Sequence, residues 1–166
     1  MEQKIQKWNK LLEVLFEYPL ERFKLRQLEK KTKIPPSTLV RYLSDLTKEG
    51  ILDKKRHFVN NSSTRWRKTA HLIDRLFASG LLTFLEQKLK PATIVLFGSV
   101  RKGEYDHTSD IDIFIVASEQ KIDISSFEKK LGHKIHVIMK PRLRELPEEL
   151  RLSIINGIKL SGYLTL

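Results

Sequence analysis

The chain has 166 residues, with 31 Lys+Arg against 20 Asp+Glu, a formal net charge of +11. That length suits one domain or two small ones with enough apolar content for a core, and the positive balance favours polyanionic partners: nucleic acid, nucleotides or anionic lipid. Cysteine is absent, which excludes disulfides and thiolate metal sites. Residues 1–10 are polar and charged where a signal peptide would be apolar. The longest apolar-rich stretch, residues 76–85, is too short to span a bilayer. The expected location is therefore the cytoplasm, with no membrane partner.

Residues 4–16 predict an amphipathic helix, with Ile5, Trp8, Leu12, Leu15 and Phe16 recurring at helical steps. Tyr18-Pro19 ends it. Residues 25–31 predict a short second helix around Leu25 and Leu28, and Thr32-Lys33-Ile34-Pro35 the turn after it. Residues 36–49 form a third helix with Leu39, Leu43 and Leu46 inward, and Gly50 stops it. Proline suits the first helical position at Pro36, but Pro35 offers no capping oxygen. An extended segment, residues 51–58, carries Lys54-Lys55-Arg56-His57. Asn60-Asn61-Ser62-Ser63 reads as a turn, and residues 64–68 as a returning strand with Arg65, Arg67 and Lys68 exposed.

Helix, helix, turn, helix, basic hairpin is the order of a winged helix-turn-helix, and "FKLRQLEKKTKIPPSTLVRYLSDLTKEGILDKK" closely resembles such domains in transcription regulators. The resemblance covers residues 1–70. It implies that the third helix enters the major groove, so that Ser37, Thr38, Arg41 and Tyr42 face bases or nearby phosphates. Lys54, Lys55, Arg56 and Arg65 would neutralise phosphates of DNA. Winged helices also serve as docking and dimerisation modules, and that alternative stays open.

Residues 70–90 predict a helix bent near Ser79-Gly80, with residues 71–90 acting as a linker. Leu72, Ile73, Leu76, Phe77, Leu81, Leu82, Leu85 and Leu89 form a stripe broad enough to pack on the first domain or to make a homodimer interface. Pro91 closes it. Residues 94–97, Ile-Val-Leu-Phe, are apolar throughout, as in a strand buried on both faces. Gly98-Ser99 breaks the run where the backbone turns. Residues 110–116, Asp-Ile-Asp-Ile-Phe-Ile-Val, are a second strand. Its alternation puts Asp110 and Asp112 on the face that later carries Phe114 and Val116. Two carboxylates at the mouth of a strand, roughly 6.5–7 Å apart at Cα, can serve ions about 3.5–4 Å apart, and Mg²⁺ is the natural hard cation. A short helix over residues 124–131, a third strand over 134–139, a helix over 147–156 around Leu150, Leu152, Ile154 and Ile155, and an extended segment over 158–164 complete the chain.

Gly98-Ser99, ten residues, then Asp110-Ile111-Asp112, within "LFGSVRKGEYDHTSDIDIFIV", resembles the signature of minimal members of the polymerase-beta-type nucleotidyltransferase superfamily. The resemblance implies an α+β chain: a winged helix-turn-helix followed by a small α/β nucleotidyltransferase domain, residues 91–166, with a mixed sheet. It implies that Gly98 and Ser99 hold the triphosphate of the nucleotide, that Asp110 and Asp112 bind Mg²⁺, and that Arg101 and Lys102 neutralise phosphate charge. In catalytic members a third carboxylate comes from the third strand; the matching position in "HKIHVIMK" is His136, which as a neutral imidazole can act as general base. His133, Glu104 and Asp106 are candidates to supplement the set.

The implied reaction is attack of an acceptor hydroxyl on the α-phosphorus of a nucleoside triphosphate, with release of pyrophosphate. ATP as donor and a partner protein as acceptor follow the pattern of superfamily members that modify a protein or pair with a small helical partner. The alternative is a DNA-binding transcriptional regulator whose degenerate transferase domain only binds nucleotide.

Overall fold

The computed structural model describes residues 2–164; residues 1, 165 and 166, at the ends of the two expected domains, lie outside that range. The chain divides into two compact units, Met1–Arg65 and Trp66–Leu166.

The first unit holds three helices: α1 (Glu2–Glu17), α2 (Leu25–Thr32) and α3 (Pro36–Lys48). Its core gathers Leu11, Leu15, Phe16, Leu28, Ile34, Leu39, Tyr42, Leu43 and Leu46 with Ile51 and Leu52. Leu11 is fully buried while Ile5 is exposed, so the inward stripe of α1 runs through Leu11 and not through Ile5. Pro35 caps α3 without a side-chain bond, and Gly50 follows in the left-handed region at φ 73°, as the sequence led us to expect.

Tyr42 corrects the sequence reading. It is 2% exposed, meets Trp8 edge-on at 5.1 Å, and donates its hydroxyl to the Lys4 carbonyl at 3.4 Å. With Leu39, Leu43 and Leu46 it completes one face of α3, so it belongs to the core of this unit.

The extended segment is shorter than expected. Leu52 and Phe58 form an isolated antiparallel bridge, and the turn lies at Lys54-Lys55. Residues 64–68 are not a strand: helix α4 runs Ser62–Ser79. Asn61 explains this. Its Oδ1 accepts from the Thr64 N–H at 2.9 Å, and the Thr64 hydroxyl accepts from the Asn61 N–H at 3.0 Å, a reciprocal cap that starts a helix where a turn was expected. Arg65 is therefore a half-buried residue of α4 and not part of a hairpin. Lys68, expected to be exposed, is 1% exposed.

In the second unit α4 ends at Ser79, Gly80 adopts φ 85°, and α5 (Leu81–Leu89) begins. Lys130 donates to the Ser79 carbonyl at 2.9 Å, a cation at the C-terminal end of the helix dipole. Then follow β1 (Thr93–Phe97), α6 (Gly98–Lys102), β2 (Ile111–Val116), α7 (Ser125–Leu131), β3 (Ile135–Lys140), a 3-10 turn (Leu143–Glu145), α8 (Glu148–Ile155) and β4 (Ile158–Gly162). The sheet order is β3-β2-β1-β4. β1 pairs antiparallel with β2 and β4, and β2 pairs parallel with β3. The parallel pair needs a crossover, supplied by α7. The sheet is mixed, as expected.

Strand alternation sorts side chains to two cores. Ile94, Leu96, Ile111, Ile113, Ile115, Ile135 and Met139 meet Leu72, Leu76, Leu81, Leu82, Leu85 and Leu89 from α4 and α5. Of the broad stripe on these helices, Phe77 is the exposed member, at 54%. The rest is buried or half-buried against the core of this unit. Val95, Phe97 and Phe114 meet Leu143, Leu146 and Ile154 on the opposite face. Leu152 and Ile155, expected inward on α8, are exposed.

Candidate active site

Three strands bring the site together in register. Phe97 on β1 stands opposite Asp112 on β2, and Asp112 stands opposite His136 on β3. Asp112 lies on the face that carries Phe114 and Val116, so its carboxylate sits at the entrance to an apolar layer, with its side chain 25% exposed. Asp110 is exposed and lies one residue before β2 begins.

Gly98 and Asp112 fit as a pair. Gly98 has φ 71°, in the left-handed region that favours glycine. A Cβ built on Gly98 would fall 2.1 Å from Asp112 Oδ2. One carboxylate oxygen thus occupies the space that a side chain at position 98 would fill. The other, Oδ1, accepts from His136 Nδ1–H at 3.1 Å. With the proton on Nδ1, a neutral imidazole keeps its lone pair on Nε2. His136 is exposed, its side chain 59% accessible.

Gly98-Ser99 is the first turn of α6, not a free turn. The first N–H groups of a helical turn have no intrahelical acceptor, so this junction presents backbone donors beside Asp112. Ser99 and Arg101 are half-buried, and Lys102 is exposed.

Sequence reasoning missed the brace behind this turn. Thr69 on α4 donates its hydroxyl to the Val100 carbonyl at 2.8 Å. Lys68 donates to the Tyr105 carbonyl and holds its ammonium 4.3 Å from the Tyr105 ring centre. Tyr105 returns its hydroxyl to the Lys68 carbonyl at 3.0 Å. The Tyr105 ring meets His133 edge-on at 6.0 Å, and His133 Nδ1–H donates to the Ser109 carbonyl at 2.7 Å. These contacts tie α4 to α6 and to the loop that delivers Asp110. A polar Lys-Thr pair on the helical face that continues through Leu72 and Leu76 was the available signal. Tyr105→Phe removes the bond to the Lys68 carbonyl, which keeps the N–H of its own helical turn. We expect a loss of about 0.5–1.5 kcal/mol, read as a lower urea midpoint at unchanged slope.

Two supplementary candidates are otherwise engaged. His133 is buried at 5% exposure in the brace just described. Asp106 accepts from the Thr108 hydroxyl at 2.6 Å and the Thr108 N–H at 2.9 Å, and these bonds, hydroxyl first, hold its carboxyl below the ordinary value. A depressed folded-state pKa means that this stabilisation is full above the unfolded value and fades as pH falls through the folded one. Glu104 is exposed. Glu128 accepts from the Ile135 N–H at 2.9 Å, fixing the start of β3 beside His136; that bond lowers its carboxyl. Among the described residues no group of three or more His, Asp or Glu side chains stands close enough to cage a metal ion unaided. Among them, too, no helix is long and apolar enough to cross a membrane.

No curated protein and no solved structure gives a significant match. A family model described as a nucleotidyltransferase domain matches residues 78–160. The match takes in β1, the Gly98 turn, both aspartates and β3, and spans half of the 166 residues. The chain therefore belongs to the nucleotidyltransferase-domain family, whose general chemistry is nucleotidyl transfer from a nucleoside triphosphate.

Proposed function

We propose that the second unit transfers a nucleoside monophosphate, AMP from ATP, to a hydroxyl of an acceptor, with a partner protein as the acceptor class. The observation that carries this reading is the close fit of the Asp112 carboxylate against Gly98, in register with His136. A carboxylate held there stands directly beside the backbone donors of the next turn, where a triphosphate can be gripped.

The donor set suits Mg²⁺. Asp110 and Asp112 supply hard oxygen ligands, and a cation that shares its coordination with substrate phosphates needs no all-protein cage. When bound, Mg²⁺ would neutralise charge on the phosphoryl oxygens. Gly98 and Ser99 would hold the triphosphate through backbone N–H and hydroxyl, and Arg101 and Lys102 would offset its charge. His136, its Nδ1–H committed to Asp112, would accept the acceptor proton at Nε2.

The test is incubation with ATP labelled at the α-phosphate, Mg²⁺ and candidate acceptors, including a small helical partner protein and the chain itself. Label should move to protein with wild type and fail to move with Asp110→Asn. Transfer that survives loss of both aspartates would sink the reading. His136→Ala should lower transfer about 10²–10⁴-fold with ATP binding retained. An unchanged rate would make His136 a strand residue only.

A second reading concerns the first unit: a winged helix-turn-helix that binds DNA. It is supported by Ser37 and Arg41, exposed near the start of α3 with Thr38 half-buried between them, and by the exposed tip Lys54-Lys55-Arg56. In its regulator form the second unit binds ATP without transferring label, and Arg41→Ala weakens sequence-preferring DNA binding.

A further inference from the structure

We propose that the first unit carries a phosphodiester-binding cleft in which Arg22 and Lys24 act together with Lys54, Lys55 and Arg56, and that its ligand is the backbone of duplex DNA. The proposal rests on the DNA-binding reading of this unit and adds residues that reading did not include.

A cleft of about 410 Å³ lies between the start of α2 and the hairpin tip. Arg22 and Lys24 line one side, and Lys54, Lys55 and Arg56 the other. All five side chains are exposed, and none makes an ion pair among the described residues. The only acidic residue of the tip, Asp53, is turned to the hairpin's own backbone. Its Oδ1 accepts from the N–H groups of Lys55 at 2.7 Å and His57 at 2.8 Å, and its Oδ2 pairs with the His57 ring at 3.1 Å. Five like charges around one cleft repel one another, a cost that a polyanion removes.

Arg56 adopts φ 65°, a left-handed conformation that costs an L-residue about 1–2 kcal/mol and that glycine or asparagine would take more readily. The turn is nonetheless closed, with Arg56 N–H on the Asp53 carbonyl at 2.9 Å. The turn so formed carries Arg56 on the cleft wall with Lys54 and Lys55.

The lining selects among anions. Phe23, the aromatic residue of the cleft, is half-buried, packs edge-on to Tyr18 at 5.9 Å and joins the core. It is a wall, not a stacking platform. Single strands and free nucleotides are held largely by stacking, whereas duplex binding is dominated by phosphate charge. Leu20 is 97% exposed nearby in sequence, but one leucine supplies only about 1.5–3 kcal/mol on burial, too little to seat the unit in a lipid surface.

The experiment is fluorescence anisotropy of a short labelled duplex of mixed sequence with the full chain, titrated across salt concentrations. Five phosphate contacts give a slope of log K against log salt near about −4.5, and Arg22→Ala/Lys24→Ala should bring it to about −2.7, alike for every sequence. Both residues are exposed, and the Lys24 N–H that bonds Gln27 at 2.7 Å survives in alanine, so the variant keeps its fold. If wild type binds duplex but the double variant keeps the wild-type slope, the cleft is wrong and the DNA reading stands. If wild type binds no duplex at low salt, both fail. If ATP, single-stranded RNA or vesicles rich in phosphatidylserine displace the duplex at lower concentration than unlabelled duplex does, the assigned ligand is wrong.

Discussion

Replacing Asp112 by asparagine is expected to leave the second unit folded and to slow nucleotidyl transfer about 10³-fold. Asparagine has nearly the same shape as aspartate, and its amide oxygen can still accept from His136 Nδ1–H, which now bonds Oδ1 at 3.1 Å. What disappears is a full negative charge at the mouth of β2. A carboxylate that anchors a divalent cation against transferring phosphate is worth several kcal/mol of transition-state stabilisation. At about 1.4 kcal/mol per decade, a loss of about 4 kcal/mol gives the stated factor. Transfer of α-labelled phosphate, measured beside circular dichroism on the same sample, checks both halves. Activity within tenfold of wild type would remove Asp112 from the reaction.

Gly98→Ala should damage both stability and activity. The backbone at φ 71° penalises any L-side chain by about 1–2 kcal/mol. The added Cβ would also lie 2.1 Å from Asp112 Oδ2, a contact relieved only by moving the carboxylate off its place. Gly80→Ala is the matched control: Gly80 has φ 85°, and nothing lies within 4 Å of its Cβ position. The two variants share the backbone penalty, so the difference between their unfolding midpoints isolates the collision. Removing the carboxylate as well, in Gly98→Ala/Asp112→Ala, should restore part of the stability and none of the transfer. A double-mutant cycle showing no coupling would mean that the two residues do not meet in solution.

The strands of the second unit were legible because burial on both faces leaves an unbroken apolar run at Ile94–Phe97 and an alternating one through Ile111–Val116. The pairing of Asp112 with His136 was legible only in part. Their shared face follows from alternation, but their contact depends on a parallel register that the α7 crossover sets. Residues 64–68 misled because Thr-Arg-Trp-Arg-Lys alternates like a half-buried strand. The decisive fact is local: Asn61 and Thr64 cap each other. Tyr42 misled through its polar tip, although its spacing from Leu39 and Leu46 already put it on the buried stripe. The brace of Lys68, Thr69 and Tyr105 was hidden because each residue reaches backbone far away in the chain.

The exposure of the His136 side chain bears on what can be substituted there. A position that faces solvent from the end strand of a sheet can change identity without repacking anything behind it. Aspartate, the residue its superfamily resemblance leads one to expect there, would be admitted at no steric cost. An aspartate there would set a second carboxylate against Asp112 Oδ1, which His136 now contacts at 3.1 Å, so the exchange trades a hydrogen-bond donor for a like charge that only a cation between the two could offset.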